Sequence, residues 1–589
     1  MKNRIDVDEK NVSVSRKTTL KMLMPYVLRY KNEILFTILL VFISSVAELL
    51  PPYFTKIVVD TVFPQKNYVL LAGIIAVLVL AHLLFLILTR KKAKIIHTVG
   101  QKIIHDIRYD LFCHLQTLPF SYFDSRPLGK ITVRVVNYIN SISNLLSDGI
   151  VDIITGIFTL VIIVVFMLLM DVKFTIICLL TLPVFLLIRF GIKKKHREVW
   201  NKYSAKQSNL NAYIQENISG MKVIQSFSRE EVNAEKFSEL CDENRKYWMK
   251  AKFIELAIPF SVNVLYVLTV VIIYLYGAGR INSGLEVGVL IAFSSYLNKF
   301  WAPITMLSTY YNMIVNNFVY IDRIFETMSE KPVITDSKNA EILPPVKGDV
   351  EFKNVTFKYE DNAPNILENL SFHIKPGMKV ALVGPTGAGK STIINLLSRF
   401  YDISGGEILI DGHNIKNVTL KSLRTQMGIM MQDSFLFSGT VKDNIRYGKL
   451  DATDEEVINA AKLVSADEFI NSFPDGFDTV ITERGGDISA GQKQLIAFAR
   501  TIIKNPAILI LDEATSSVDT ETELMLQKGT EGMMQGRTSF VVAHRLSTII
   551  NSDLIMFIGN KGILEAGTHA ELMGKKGRYY ELYTSQLNS

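Results

Sequence analysis

The chain has 589 residues, 49% of them hydrophobic, with a mean hydropathy of +0.23. That length exceeds one ordinary domain, and the composition argues for a membrane protein. The net charge of +7 does not call for nucleic acid, because Lys and Arg cluster beside hydrophobic runs, as in cytoplasmic loops next to a membrane.

The polar start, MKNRIDVDEKNVSVSRKTTLK, has no cleavable apolar core, so no secretory signal is expected. LKMLMPYVLRYK is expected to lie as an interfacial amphipathic helix ahead of the first span. Six candidate spans follow, at about 34–58, 68–89, 150–170, 174–193, 254–276 and 285–307, each near the ~20 apolar residues that cross a ~30 Å hydrocarbon core. The links after spans one, three and five are short, as in DVK and GAGRINSG. Those after spans two and four run to roughly sixty residues and carry RKKAKIIH and KKKHREVW. This charge bias puts the N-terminus, the long links and the C-terminal half in the cytoplasm. Helical periodicity and few breakers in the long links predict that the spans continue as helices beyond the bilayer. The widely spaced Cys113, Cys178 and Cys241 match no zinc or disulfide pattern and fit a reducing environment. Glu48 and Lys299 are charges inside spans, which marks them for cavity lining or snorkelling. Counting rise along each span sets Glu48 toward the outer leaflet and Lys299 deeper toward the inner one, too far apart to pair directly.

Residues 1–330 therefore read as a membrane domain and 331–347 as a linker, KPVITDSKNAEILPPVK. From 348 to 589 a soluble domain opens on the alternating strand VEFKNVTFKY. KVALVGPTGAGKSTIINLLSRF is an apolar strand, a glycine-rich turn and an apolar helix, with G-x-x-x-x-G-K-[ST] from Gly384 to Ser391. The glycines let backbone N–H groups wrap phosphate oxygens at a helix N-terminus. Lys390 can reach the β- and γ-phosphates, and the Ser391 hydroxyl can ligate Mg²⁺. AILILDE delivers Asp512 to a strand end, where it can hold the Mg²⁺ shell, and Glu513 beside it can act as general base on the attacking water. His544, Gln432 and Tyr359 are ambiguous alone: each is equally a strand-end, loop or packing residue.

Taken together, these residues resemble an ATP-binding cassette, and the whole chain resembles a half-transporter of the ABC exporter type, of the multidrug and lipid-flippase kind. GPTGAGKST, MMQD, ISAGQ, LILDEAT, SSVDT and AHRLST occur in that family's order. The implied fold is an all-α six-helix transmembrane domain with long cytoplasmic helix extensions, followed by an α/β P-loop cassette. The resemblance implies ATP and Mg²⁺ as cofactors, with Tyr359 as adenine stacker and Pro385, Thr386, Gly387, Ala388, Gly389 and Thr392 as further loop positions. It implies Gln432 as a sensor of Mg²⁺ and γ-phosphate, Glu513 as the catalytic carboxylate, Asp519 as a dimer-interface acid, and His544 as the switch histidine. ISAGQ stands where the family has L-S-G-G-Q. By that likeness Ser489, Ala490, Gly491 and Gln492 address the ATP held by a second half-transporter. Ala490 replaces a glycine there, adding a methyl where backbone nears phosphate, which favours a heterodimer slightly over a homodimer.

LPFSYFDSRPLGK and LNAYIQENISGMK lie where related exporters place short coupling helices, making Phe123, Asp124 and Glu216 candidate contacts. Aromatics around Lys299, with Phe260 and Tyr266, offer surface to an apolar or amphipathic cargo. The expected activity is ATP-driven export of such molecules across the cell membrane. Peptide export, lipid flipping and an importer variant are alternatives within the family; an ATP-gated channel or regulatory protein is the alternative outside it.

Overall fold

The structure is a computed structural model that describes residues 16–144, 149–281, 285–360, 363–431, 434–482, 488–512, 520–542 and 546–587. The chain divides into two compact units, Met1–Gln116 with Pro127–Glu330, and Thr117–Arg126 with Lys331–Ser589.

The first unit is helical. Its main helices are α1 (Arg16–Leu28), α2 (Lys31–Ile57), α3 (Tyr68–Thr117), α5 (Ile150–Met170), α6 (Val172–Ser219), α7 (Met221–Ser226), α8 (Glu230–Ile281) and α9 (Val287–Ser329); α4 (Phe120–Asp124) packs in the second unit. Apolar composition makes helices the only open-chain structure that satisfies its own backbone in lipid. Among the described residues five helices, from α2, α3, α5, α6 and α8, are long and apolar enough to cross a bilayer. α9 interrupts its apolar run with Asn298 and Lys299, yet Phe293, Tyr296 and Phe300 on it are fully buried in the bundle. α1 turns Thr19 and Leu23 inward and leaves Leu20, Met24 and Leu28 exposed. Tyr26 on α1 donates to Asp110 at 2.8 Å, tying the helix to α3.

The short link before α6 has a specific stop. Asp171 caps α6, accepting from Lys173 N at 2.8 Å and Phe174 N at 3.0 Å, while Arg280 at the far end of α8 donates to its other oxygen at 2.8 Å. An anion at a helix N-terminus suits the dipole.

α2 and α9 run antiparallel and corrected one expectation. Lys56 pairs with Glu286 at 3.1 Å, and the Gly288 N–H donates to Asp60 at 2.6 Å. A Cβ at Gly288 would lie 2.4 Å from that carboxylate, so any larger residue would require the Asp60 side chain to move. From this pin, Glu48 lies roughly 18 Å down α2 and Lys299 roughly 16 Å down α9 at 1.5 Å per residue. The two charges are therefore level, and Lys299 Nζ donates to Glu48 at 3.4 Å. Counting from apolar span ends had separated them; the helix continues past span one as far as Asp60, which shifts the register. Tyr296 donates to the Leu49 carbonyl at 2.8 Å between the two contacts.

The second unit is α/β. Twelve strands are described: β1 (Val350–Phe357), β2 (Leu367–Ile374), β3 (Lys379–Val383), β4 (Gly405–Ile410), β5 (His413–Asn414), β6 (Met427–Met430), β7 (Gly439–Thr440), β8 (Val480–Ile481), β9 (Ile508–Asp512), β10 (Thr538–Val542), β11 (Leu554–Gly559) and β12 (Gly562–Gly567). They form a four-stranded sheet in the order β2-β1-β4-β5, a six-stranded sheet in the order β12-β11-β3-β10-β9-β6, and the pair β7-β8. In the larger sheet β11, β3, β10, β9 and β6 are parallel. Both faces are covered, which explains the unbroken apolar runs. Val380, Leu382, Ile508, Ile510 and Phe540 face one core with Phe352 and Phe357 of the smaller sheet. Ala381, Val383, Leu509, Leu511 and Val541 face the other, against Leu495 and Phe498.

Candidate nucleotide site

β3 carries the chain to the carboxyl edge of the parallel sheet, where it turns. Gly384 has φ +142°, and a Cβ there would meet the Ile558 carbonyl oxygen at 2.3 Å. Ala388 N–H closes the loop by donating to Pro385 O at 3.2 Å. Gly389, at φ +103°, then starts α10 (Lys390–Leu397) with no side-chain cap. The first N–H groups of that helix are left for an external acceptor. Thr386 and Gly387 complete the turn between Pro385 and Ala388, with Gly387 also at positive φ.

Lys390 is buried, and its ammonium donates to Gly384 O at 2.6 Å and Pro385 O at 3.0 Å. Burial pushes it below the usual lysine range, and the Asp512 carboxylate pulls it partly back. Ser391 Oγ donates to Asp512 Oδ2 at 3.4 Å. Thr392 and Tyr359 share a hydroxyl–hydroxyl hydrogen bond of 2.9 Å. The Tyr359 ring meets Phe357 and Tyr401 edge-on, at 82° and 89°, and stays 43% exposed.

Strand register brings the other candidates to the same edge. Val542 is opposite both Leu382 and Asp512, and Met430 is opposite Leu511. The described strands that precede Gln432, Glu513 and His544 thus end side by side. Those three residues and Asp519 lie outside the described residues.

ISAGQ starts α11 (Ala490–Ile502). Ser489 and Gln492 form a reciprocal cap: Gln492 N–H donates to Ser489 Oγ at 3.2 Å and Ser489 N–H to Gln492 Oε1 at 3.1 Å. Ile488 and Gly491 are buried, whereas Ser489 and Ala490 are exposed. Among the described residues no hydrogen bond joins this turn to the loop 384–389. Ala490 is helical, so its backbone does not require glycine; what the alanine adds is a methyl on the exposed helix start.

Of the coupling candidates, Asp124 lies against Tyr401, whose phenol is pushed up to about 12, by burial first and by Asp124 in addition. The ring that meets the cassette is Phe120, 5.5 Å from Phe400, while Phe123 packs on Tyr122 at 5.4 Å. The short helix turns Phe120 rather than Phe123 toward Phe400. Glu216 is exposed, and its carbonyl accepts from Gly220 N–H at 2.8 Å at the end of α6.

Sequence reasoning missed an open groove of ≈ 360 Å³ lined by Met430, Met431, Phe435, Phe437, Tyr447 and Arg500. Arg500 donates to Phe435 O at 2.7 Å, and burial lowers the pKa of both Arg500 and Lys504. The signal was present as SFLF beside MMQD, but the wall residues come from separate segments.

Two family models match the chain: "ABC transporter transmembrane region" over residues 34–304 and "ABC transporter" over residues 367–516. A putative multidrug export ATP-binding/permease protein, YgaD of Bacillus subtilis (strain 168), is 36% identical, with 96% of this chain and 99% of that protein covered. An ATP-dependent lipid A-core flippase of Syntrophus aciditrophicus (strain SB) is 35% identical, covering 92% of this chain and 89% of the flippase. A solved structure of a bacterial Atm1-family ABC exporter with ATP bound superposes with a TM-score of 0.75 at 29% identity, covering 95% of this chain and 98% of the other.

Proposed function

The chain belongs to the ABC transporter family, and from that premise we propose that it is one half of a dimeric pump exporting hydrophobic or amphipathic molecules, drugs or lipids. It is a multi-pass membrane protein whose cassette binds and hydrolyses ATP. The observation that carries the reading is the convergence of Lys390, Ser391 and Asp512 at the carboxyl edge of a parallel sheet, on a chain that also holds a bundle of apolar helices.

The ammonium of Lys390 and the uncapped start of α10 bind the phosphates. Ser391 and Asp512 place two oxygen donors 3.4 Å apart, a set that suits Mg²⁺, which takes few carboxylates and completes its shell with phosphate and water. When bound, the ion neutralises charge on the β- and γ-phosphates. Tyr359 supplies an aromatic face for the adenine. Glu513 takes a proton from the attacking water, Gln432 reports on the γ-phosphate, and His544 acts as the switch on that phosphate. Asp519 serves as the dimer-interface acid of the reading.

The capped start of α11 serves the nucleotide held by the partner. Its exposed Ala490 methyl stands where that phosphate approaches, which supports pairing with a different half-transporter. The side of the membrane is supported by Arg90, Lys91, Lys92 and Lys94 on α3 and Lys193, Lys194 and Lys195 on α6, all toward the extended helix ends: these ends and the cassette face the cytoplasm. ATP can drive the cycle only by binding one arrangement of the spans better than another.

The test is uphill transport of a hydrophobic fluorescent dye into sealed inside-out vesicles containing the assembled dimer. Accumulation should require ATP and stop with Glu513→Gln. Downhill passage that persists without turnover would identify a gated channel instead. Mass and ATPase activity of this chain alone in nanodiscs decide the pairing: a stable, fully active dimer of identical chains would remove the heterodimer.

A further inference from the structure

Two adjoining cavities lie where α1 meets α2 against α3 and α5. The inner one is an apolar chamber of ≈ 80 Å³, with Val27, Ile38, Val41, Ile96, Ile103 and Ile154 among its walls. Its one polar side chain, Thr37, is already satisfied by donating to Glu33 O at 2.8 Å. The outer one is an open groove of ≈ 720 Å³ bounded by Tyr30, His97, Gln101, Lys102 and His105. No residue lines both, but their linings are neighbours along the chain: Ile96 and Ile103 flank His97 and Lys102 on α3, and Tyr30 sits between Val27 and Ile34 at the α1–α2 junction.

Depth and charge identify an occupant. Ile34 lies roughly 33 Å along α2 from Lys56 at 1.5 Å per residue, about the thickness of a hydrocarbon core. Counted on α2 the chamber is therefore at one membrane boundary, and on α3 its walls follow the basic run Arg90, Lys91, Lys92 and Lys94. Asp106 is the one carboxylate lining the groove, and it is engaged by Arg29 and by the Tyr30 hydroxyl, each at 3.2 Å. Lys102 makes no ion pair among the described residues; its ammonium lies 5.9 Å from the Tyr30 ring centroid. A dry chamber favours methylenes, with no donor or acceptor to meet a peptide. An open groove lined by Lys102, His97 and His105, the last 3.6 Å from Asp106, suits a phosphate headgroup.

We propose that this double cavity binds an anionic phospholipid of the adjoining leaflet, with a segment of one acyl chain in the chamber and its phosphate on Lys102. The site couples the α1–α2 junction to α3 through a bound lipid.

The test uses the full-length protein in phosphatidylcholine nanodiscs doped with phosphatidylglycerol carrying a photoreactive diazirine in its acyl chain. Labelled peptides should include residues 34–41 and 96–103. Lys102→Gln should reduce labelling there roughly fivefold, the effect of one lysine near an anionic surface. Ile38→Trp, which fills the chamber from a half-buried position, should abolish labelling of 96–103 while other span peptides stay labelled. ATPase activity checks that this variant is folded; if it is not, Lys102→Gln alone decides. Equal labelling by a photoreactive phosphatidylcholine, no effect of Lys102→Gln, or displacement by free fatty acid but not by phosphatidylglycerol would each overturn the proposal.

Discussion

Two helices of the cassette begin at glycine-rich turns, and they differ in how many of their first N–H groups they satisfy themselves. α10 begins at Gly389, at φ +103° and without a side-chain cap, and buries a lysine in its first turn. α11 begins at Ser489, whose hydroxyl and Gln492 satisfy each other's backbone. The first start is built by backbone conformations that leave donors for a phosphate. The second satisfies the Ser489 and Gln492 N–H groups within the turn and keeps the N–H groups of Ala490 and Gly491, with the Ser489 hydroxyl proton, to offer. The loop 384–389 is thus suited to capture a phosphate, and the turn at 489 to close on one already held.

The sharpest way to break this contrast is Lys390→Ala, which should weaken ATP binding by roughly 100-fold through loss of charge-assisted contacts, measured with a fluorescent nucleotide. The lowered lysine pKa adds a sign: its charge is lost at a lower pH than for an ordinary lysine. ATP affinity should therefore decline on the alkaline side earlier than a free lysine would release its proton, and titration of binding against pH checks this.

Next in size, Gly384→Ala must adopt φ +142° and approach the Ile558 carbonyl. It should destabilise the cassette by about 2–3 kcal/mol, seen in thermal unfolding of the full chain. Ser489 separates capping from catalysis. Ser489→Ala should cost about 1 kcal/mol of stability and about tenfold in ATPase of the dimer. Ser489→Asp keeps a cap but opposes phosphate, so it should be stable and inactive; an active Asp variant would remove the role given to this turn. The smallest effects belong to the exposed methyl and the hydroxyl pair. Ala490→Gly should raise dimer ATPase a few-fold at a helix-stability cost of up to about 1 kcal/mol, and Tyr359→Phe should lose no more than about 1 kcal/mol of ATP affinity.

The loop was readable along the chain because its backbone chemistry needs contiguous residues: GPTGAGK cannot be dispersed and still wrap a phosphate. The proximity of Ser391 to Asp512 was readable one step less directly, since both follow apolar strands that end at one edge. The Ser489–Gln492 cap is also local, a serine three residues ahead of a glutamine, but it was read only as a phosphate-facing turn. Other features were not readable. The level of Glu48 against Lys299 depends on the Asp60–Gly288 pin, and no apolar pattern records how far a helix continues past its span. Phe120 rather than Phe123 faces Phe400 because a five-residue helix is too short for periodicity to set its phase. The groove at Phe435 draws its wall from β6, the segment after it, and α11.

By itself the amino-acid order determined what local spacing can carry: apolar runs that must be helical in lipid, strands buried on both faces, and a phosphate-wrapping turn with its lysine. Only the tertiary structure decided which charges meet across α2 and α9, which aromatic ring reaches Phe400, and which residues close the two cavities beside α3. Those contacts depend on helix register and rotation, set by distant pins such as Asp60 on Gly288. A contact made through space leaves no period in the chain.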